Sequence, residues 1–425
     1  MHFSKFAVIN YNLQKNTLNI FHLINKSVIS VAFDFEIKGK SNEYLLEQLN
    51  SDQIDSLKNL DIICENKFFD YNKYEIQREM YKYSDKICRF VIHLNYDCNL
   101  SCSYCYQNVI NKKIIMNDIT LNQVNNFIIK VKRKIKPEAL DVCFIGGEPT
   151  LHSEKILQIM KTINKNCNNI IYSIVTNGTY GNKRILKKLF KLGLNNFMIT
   201  LDGPQKIHDY LRKDNNNRGS YQTIIRNLKK MQQYFPGVNV SLNCNLNQLN
   251  YKYIEELLLD LREKQIYYPI MYSFVIDTKA KKNQNTISNF QTIWKDIHQL
   301  SERYGYQFQP FYRDTYLACS LFQKNNYTIG ADGYLYACIE AVGIPQYKQS
   351  HVNLYGSEYF NIKQAEFIEI DNHFEVCMDC QLLPICDGGC LYQKNNKNFK
   401  CPLNDLKNND IDMALNYYFG EKNVE

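Results

Sequence analysis

Three cysteines in one short loop, Cys98-x3-Cys102-x2-Cys105, are the residues of this chain most suited to chemistry. Three thiolates at that spacing can hold three irons of a [4Fe–4S] cube and leave the fourth without a protein ligand. An iron with open coordination binds a small chelating molecule, and S-adenosylmethionine is the usual one. Taken alone, the triplet also fits a zinc knuckle or thiols scattered through a core.

Other candidate groups follow at regular intervals. Tyr104, just before the third thiol, can cover such a cube or face the adenine of a nucleoside. Gly146-Gly147-Glu148-Pro149 combines two residues that let backbone approach a ligand with a fixed turn. Its carbonyls and the Glu148 carboxylate are expected to meet an ammonium group. Thr176-Asn177-Gly178-Thr179 supplies small polar groups, with Asn177 the candidate contact. Thr200 and Arg212 are candidate anchors for a carboxylate and a ribose, Arg being suited to bidentate pairing. Asp202-Gly203-Pro204 reads as a turn, and His208 as a structural hydrogen-bonding residue.

The elements that must position these groups alternate between two periods. Strands are expected at Phe90–Asn95, Leu140–Ile145, Ile170–Thr176, Asn196–Leu201, Asn239–Asn243 and Ile270–Phe274. Amphipathic helices are expected near Leu121–Lys134, Ser153–Lys165, Lys183–Leu192, Tyr221–Tyr234, Ile254–Lys264 and Phe290–Tyr304. Six such repeats predict an α/β fold, a partial (β/α)6 barrel resembling a TIM barrel, with chemistry beyond the C-terminal strand ends. Each candidate group follows one of those strands. Residues 1–88 read as short strands, helices at Glu43–Leu49 and Asp52–Leu57, and a strand-like Ile62–Phe69. They fit a small α+β, winged-helix-like module for peptide recognition, or a plain extension packed on the barrel. Residues 89–305 would then be the barrel and 306–425 a cysteine-rich domain held together by metal.

Bulk composition agrees. With 45% hydrophobic and 22% charged residues the chain is an ordinary globular protein, and no apolar run reaches membrane-span length. Its N-terminus lacks the regions of a secretory signal, so a cytoplasmic location is expected, where many thiols suggest metal or catalysis rather than disulfides. Ten of the 15 cysteines fall in two clusters; Cys64, Cys88, Cys143, Cys167 and Cys244 are isolated and read as buried apolar residues. The net charge of +8 comes from dispersed Lys, which points away from nucleic acid and leaves a mild preference for an acidic peptide.

From about Arg89 to Arg303 the chain resembles the radical S-adenosylmethionine superfamily, on its Cys-x3-Cys-x2-Cys loop, Gly-Gly-Glu-Pro and Thr-Asn-Gly-Thr. The resemblance implies a cluster that donates an electron to the sulfonium, producing methionine and a 5′-deoxyadenosyl radical that abstracts a substrate hydrogen. Further on, Cys319, Gly333-x4-Cys338, Cys377-x2-Cys380-x5-Cys386-x3-Cys390 and Cys401 are similar to the seven-cysteine SPASM extension. That likeness implies two auxiliary [4Fe–4S] clusters, an outer one on Cys377, Cys380, Cys386 and Cys401 and an inner one on Cys319, Cys338 and Cys390.

The Asp-Gly-Pro-Gln-Lys-Ile-His-Asp stretch also resembles anaerobic sulfatase-maturing enzymes, with two departures. Their extra Cys, six positions before the first SPASM thiol, is Arg313 here, and the Asp after their Gly-x4-Cys is replaced by Ile339 followed by Glu340. Glu340 is thus the one candidate acid or base. An inner cluster short of one ligand is open to a substrate thiolate, unless Cys244 fills the gap. The expected activity is maturation of a ribosomally made precursor peptide by a crosslink, foremost a thioether. Formylglycine formation and carbon–carbon crosslinking are the alternatives. The expected partners are that peptide and an electron donor such as flavodoxin or ferredoxin, with no nucleic acid and no membrane.

Overall fold

A computed structural model describes residues 1–66, 69–180, 182–275, 285–287, 290–306, 321, 323–354 and 375–390 of the 425. Cys319, Cys401 and Arg313 lie outside the described residues. The chain divides into two compact units rather than three consecutive segments. One joins residues 1–83 with 310–319 and 370–425; the other holds 84–309 and 320–369.

The first unit opens with β1 (His2–Phe3), β2 (Ala7–Asn12), β3 (Thr17–His22) and β4 (Val28–Ala32), followed by α1 (Asn42–Glu47) and α2 (Ser51–Asn59). Strands β2, β3 and β4 form an antiparallel meander. Helix α2 starts in a capping box, Asn50 and Gln53 satisfying each other's backbone N–H groups. Leu18, Ile20, Leu45, Leu57 and Ile62 pack into one apolar cluster. Of the strand expected over Ile62–Phe69, the described residues show β5 (Ile63–Cys64), paired with β1. A helix that the sequence pattern did not predict, α3 (Phe69–Lys82), follows it.

The second unit carries the barrel. Its strands are β6 (Ile87–His93), β7 (Ala139–Ile145), β8 (Ile170–Thr176), β9 (Leu194–Thr200), β10 (Asn239–Leu246) and β11 (Ile270–Phe274). All neighbouring pairs are parallel, and the order in space follows the order in sequence. Between them run α4 (Asp118–Ile135), α5 (Ser153–Asn166), α6 (Lys183–Lys191), α7 (Gln205–Leu211), α8 (Tyr221–Tyr234) and α9 (Ile254–Glu263), with α10 (Phe290–Arg303) last. Their buried faces recur every three to four residues, as in Leu121, Val124, Phe127, Ile128 and Val131 of α4. Asn117 caps that helix by accepting from the Thr120 amide, and Lys136 ends it in the left-handed region.

The sheet does not stop at β6. β12 (Asn326–Ile329) lies parallel to it, followed by antiparallel β13 (Tyr334–Tyr336) and β14 (Lys348–His351). These residues were expected in the cysteine-rich C-terminal domain; here they extend the barrel sheet. The rest of that region, described only as α11 (Glu375–Met378), α12 (Leu383–Cys386) and the turns around them, belongs to the first unit. Among the described residues no helix is long and apolar enough to cross a membrane.

Candidate functional site

A cavity of about 390 Å³ opens at the C-terminal ends of β6–β11. Cys98, Cys102 and Cys105 line it together with Tyr104, Gly146, Gly147, Asn177, Thr200 and Arg212. With Asn243, Asn245 and Ser273 also in its lining, residues from all six strand ends and the loops after them, far apart in sequence, meet around one space.

Two loops are laced to form its floor. The Gly147 amide donates to the Asn95 carbonyl at 3.0 Å and the Glu148 amide to the Asp97 carbonyl at 2.9 Å. Asn95 Nδ2 donates to the Asp97 and Glu148 carbonyls at 2.8 and 3.1 Å. A Cβ on Gly147 would lie 2.0 Å from the Asp97 carbonyl oxygen, and one on Gly146 2.5 Å from that of Asn95. The glycines are therefore dictated first by the approach of the thiol loop, and their exposure to the cavity comes with it. His152 adds a bridge, its Nε2 3.1 and 3.2 Å from the two Asp97 carboxylate oxygens.

The role expected for the Glu148 carboxylate requires correction. It is fully buried and absent from the cavity lining, as is Pro149. Its Oε1 accepts from the Thr150 amide at 3.0 Å, the Thr150 hydroxyl at 2.5 Å and the Thr176 hydroxyl at 2.7 Å, and Oε2 from the Asn177 amide at 2.7 Å. Burial pushes this carboxyl above its usual range, and the four donors oppose that shift. With those donors in place the group serves as a strut between the loops after β7 and β8, not as a receiver of an ammonium. Pro149 starts a single helical turn behind it.

Asp202, left unassigned as a turn residue, is the hub of the opposite wall. It is fully buried. One carboxylate oxygen accepts from the Tyr104 hydroxyl and lies 3.4 Å from Arg212 Nη1; the other accepts from the Asn245 amide at 2.7 Å. Arg212 also donates to the Tyr104 hydroxyl. Tyr104 is thus held by its phenol at the cavity edge. His208 supports the same loop: its Nδ1 accepts from the Asp202 amide at 3.2 Å, its Nε2 meets the Ser220 hydroxyl at 3.0 Å, and that hydroxyl donates to the Arg212 carbonyl. Burial holds the imidazole well below its ordinary pKa, so it stays neutral in this role. Arg212 Nε is buried without a hydrogen-bond partner, facing a cavity that its residue lines.

Glu340 reaches the same cavity, as do Tyr106 and Lys112 from the thiol loop. Burial pushes the Glu340 carboxyl above its usual range. Cys244 does not line it: Asn243 and Asn245 on either side do, so its thiol faces the opposite side of β10. Cys64, Cys88 and Cys167 are buried as expected, and Cys143 is half-buried. Cys338 follows β13, whereas Cys377, Cys380, Cys386 and Cys390 belong to the first unit. Sequence reasoning missed Asn243, Asn245 and Ser273 on the cavity wall; their only signal was placement at strand ends.

The residues present fit a [4Fe–4S] cluster with S-adenosylmethionine. The three thiols border one cavity, as a body held at several corners requires. Burial pushes Cys98 up to about 12 and raises Cys102, so these thiols would release protons on binding metal. The orphaned Arg212 Nε, with Thr200, Asn243 and Asn245, offers polar partners to a nucleoside bearing a carboxylate.

Residues 92–261 match the model of the Radical SAM superfamily. A cysteine-type anaerobic sulfatase-maturating enzyme of Clostridium novyi is 28% identical over 347 residues, covering 73% of this chain and 88% of that protein. Among solved structures, native anSMEcpe with bound AdoMet and the Cp18Cys peptide is 18% identical with a TM-score of 0.64, covering 78% of this chain and 97% of its own. Streptococcus suis SuiB bound to the precursor peptide SuiA is 16% identical with a TM-score of 0.56, covering 93% and 97%. The triplet loop, the barrel that carries it and the matched segment agree: residues 92–261 form a Radical SAM domain, and the chain is an enzyme that uses a [4Fe–4S] cluster and S-adenosylmethionine.

Proposed function

We propose that this enzyme matures a ribosomally made precursor peptide by joining a carbon of one residue to a Cys sulfur. The observation that supports a peptide substrate is the fold likeness to a precursor-peptide complex over 93% of the chain, more than the barrel unit alone can supply; the choice of a Cys sulfur rests on the inner thiol set being one ligand short. The seven-thiol pattern and Glu340 in the cavity wall support it.

Loaded with its cluster and S-adenosylmethionine, the site supplies a primary carbon radical for hydrogen abstraction. Cys98, Cys102 and Cys105 would hold three irons; Arg212, Thr200, Asn177 and the Gly146–Gly147 backbone would hold and orient the nucleoside. Tyr104, pinned by Asp202, closes that side against water. Forming a C–S bond from C–H and S–H releases one hydrogen atom, one proton and one electron. Glu340 is the acceptor of the proton. Auxiliary iron–sulfur sites on Cys377, Cys380, Cys386 and Cys401, and on Cys319, Cys338 and Cys390, would supply electron-accepting chemistry. The inner set, short of one ligand, would leave room for the substrate thiolate. The enzyme would work in the cytoplasm with a flavodoxin- or ferredoxin-type donor.

Formylglycine formation is the second reading, favoured by the 28% identical Clostridium relative; a carbon–carbon crosslink is the third. Anaerobically reduced enzyme and a Cys-bearing precursor peptide encoded beside it are expected to give a product two mass units lighter, with one thiol consumed. A crosslinked product that retains every thiol, or formylglycine in a sulfatase peptide, would overturn the thioether.

A further inference from the structure

Helix α3 is built inside out. Asp70, Tyr74, Arg78 and Lys82, one turn apart, form its buried ridge, whereas Phe69, Ile76 and Met80 are exposed. A row of buried polar groups is costly unless each finds a partner. Asp70 accepts from the Lys5 amide at 2.8 Å and from the Cys64 thiol at 3.1 Å. Lys82 pairs with Glu79 at 2.7 Å. The Tyr74 hydroxyl and Arg78 Nε both donate to one oxygen of Asp387, each at 2.6 Å.

Asp387 comes directly after Cys386 and is itself buried, in the left-handed region, at the head of the turn leading through Gly388 and Gly389 to Cys390. The Cys377–Cys390 segment is fastened to the N-terminal strands at two more points. Gln381 Nε2 donates to the Ala7 carbonyl at 2.9 Å, and Lys5 Nζ donates to the Met378 carbonyl. Inside the loop, the Cys380 amide donates to the Cys377 carbonyl at 3.0 Å and the Gly389 amide to the Cys386 carbonyl at 2.9 Å. Met378, Gln381 and Asp387 thus anchor the segment that bears Cys377, Cys380 and Cys386.

We propose that Tyr74 and Arg78, acting through Asp387, are positioning residues for an iron–sulfur site on Cys377, Cys380 and Cys386. The N-terminal module then belongs to that site's protein shell, and metal occupancy and the order of α3 rise and fall together. This rests on the reading that these thiols bind metal. The physical reason is that Asp387 has its charge balanced in a buried setting by Arg78, and removing one partner leaves the other uncompensated. The turn that aims Cys386 and Cys390 would lose its anchor. Linkage makes the effect reciprocal: whatever α3 contributes to holding iron, iron returns to α3.

The test uses the full chain, reconstituted anaerobically with iron and sulfide, with Cys98, Cys102 and Cys105 changed to Ala so that only C-terminal iron is counted. Iron loss to a chelator and hydrogen exchange of α3 are followed in this parent and in Arg78→Met, Tyr74→Phe and Arg78→Lys. Arg78→Met is expected to hold its iron at least about fivefold more weakly in equilibrium competition with the chelator, within the usual range of coupling between sites. Tyr74→Phe, which keeps the ring, is expected to fall between it and the parent. Arg78→Lys, which keeps the charge, is expected to recover more than half of the loss. Amides of α3 are expected to exchange faster once the parent is stripped of iron, while β6–β10 do not change. Equal iron retention in the parent and Tyr74→Phe, with α3 exchange indifferent to iron, overturns the proposal alone. A parent that takes up no iron overturns the metal reading and the proposal together.

Discussion

The strut role of Glu148 separates two chemistries that the Gly-Gly-Glu-Pro motif leaves mixed. Glu148→Gln keeps the shape and removes the charge. The amide oxygen can still serve the Thr150 and Thr176 donors, but the new NH2 group faces the Asn177 amide, a donor against a donor, where 2.7 Å separated acceptor and donor before. One charge-assisted bond is lost, a buried N–H is left unmet, and the remaining three bonds lose their charge. At roughly 1–3 kcal/mol for a buried group left unsatisfied, the change is expected to cost about 2–4 kcal/mol. For a domain of this size that is a drop on the order of 5–15 °C in melting temperature. The assay is thermal unfolding of the metal-free chain by circular dichroism, with S-adenosylmethionine affinity of the reconstituted protein measured in parallel. The strut predicts a large loss of stability before any ligand is present. A variant that melts within a degree of wild type yet binds the nucleoside tenfold more weakly would refute the reasoning, since it would place the carboxylate on the ligand after all.

Three further outcomes are expected. Changing Cys98, Cys102 or Cys105 singly to Ala should abolish reductive cleavage of S-adenosylmethionine while sparing C-terminal iron; cleavage near wild type in any of them would move the site elsewhere. Glu340→Gln should still release 5′-deoxyadenosine but form product on the order of 100-fold more slowly, the usual contribution of a positioned base; product within threefold of wild type would dismiss Glu340. His22, His93 and His208 are buried, and burial lowers the first two to about 4 and about 3 and the third well below its ordinary value. Their contribution to stability is therefore complete above the unfolded value of about 6.5 and is lost as pH falls toward the folded values. Unfolded chain gains three protons that the folded chain refuses, so about 4 kcal/mol should be gone at pH 5.5 relative to pH 7.5. Denaturant midpoints recorded across that interval test this, and a flat profile would show that these imidazoles are not held neutral.

The barrel could be read along the chain because its information is local. Strand-length apolar runs and three-to-four-residue periodicity decide β6–β11, α4–α6 and α8–α10 before any long-range contact forms, and Ile170–Thr176, Tyr221–Tyr234 and Ile270–Phe274 have the bounds their pattern predicts; the short α7 was not predicted. The thiol triplet is equally local, since three ligands of one cluster fit within a single loop. Helix α3 was illegible for the converse reason. Its buried face is polar and its exposed face apolar, so a hydrophobic period points the wrong way unless the partners of Asp70, Tyr74 and Arg78 are known. Those partners sit at Lys5, Cys64 and Asp387, the last more than 300 residues away.

The same division holds at the site. Residue types and spacing narrowed the loop to a [4Fe–4S] cube or a zinc knuckle, because metal ligation depends on donor chemistry and short-range reach, and the resemblance of the neighbouring motifs to the radical S-adenosylmethionine superfamily chose between them. Only the folded arrangement decided which neighbours touch the cavity and which brace it. Gly147 is small because Asp97 presses on it, Glu148 is acidic because four donors surround it, and Asp202 is a hub because Tyr104, Arg212 and Asn245 converge there. A buried charge takes its meaning from the partners that compensate it, and these come from strand ends that meet only when the sheet assembles.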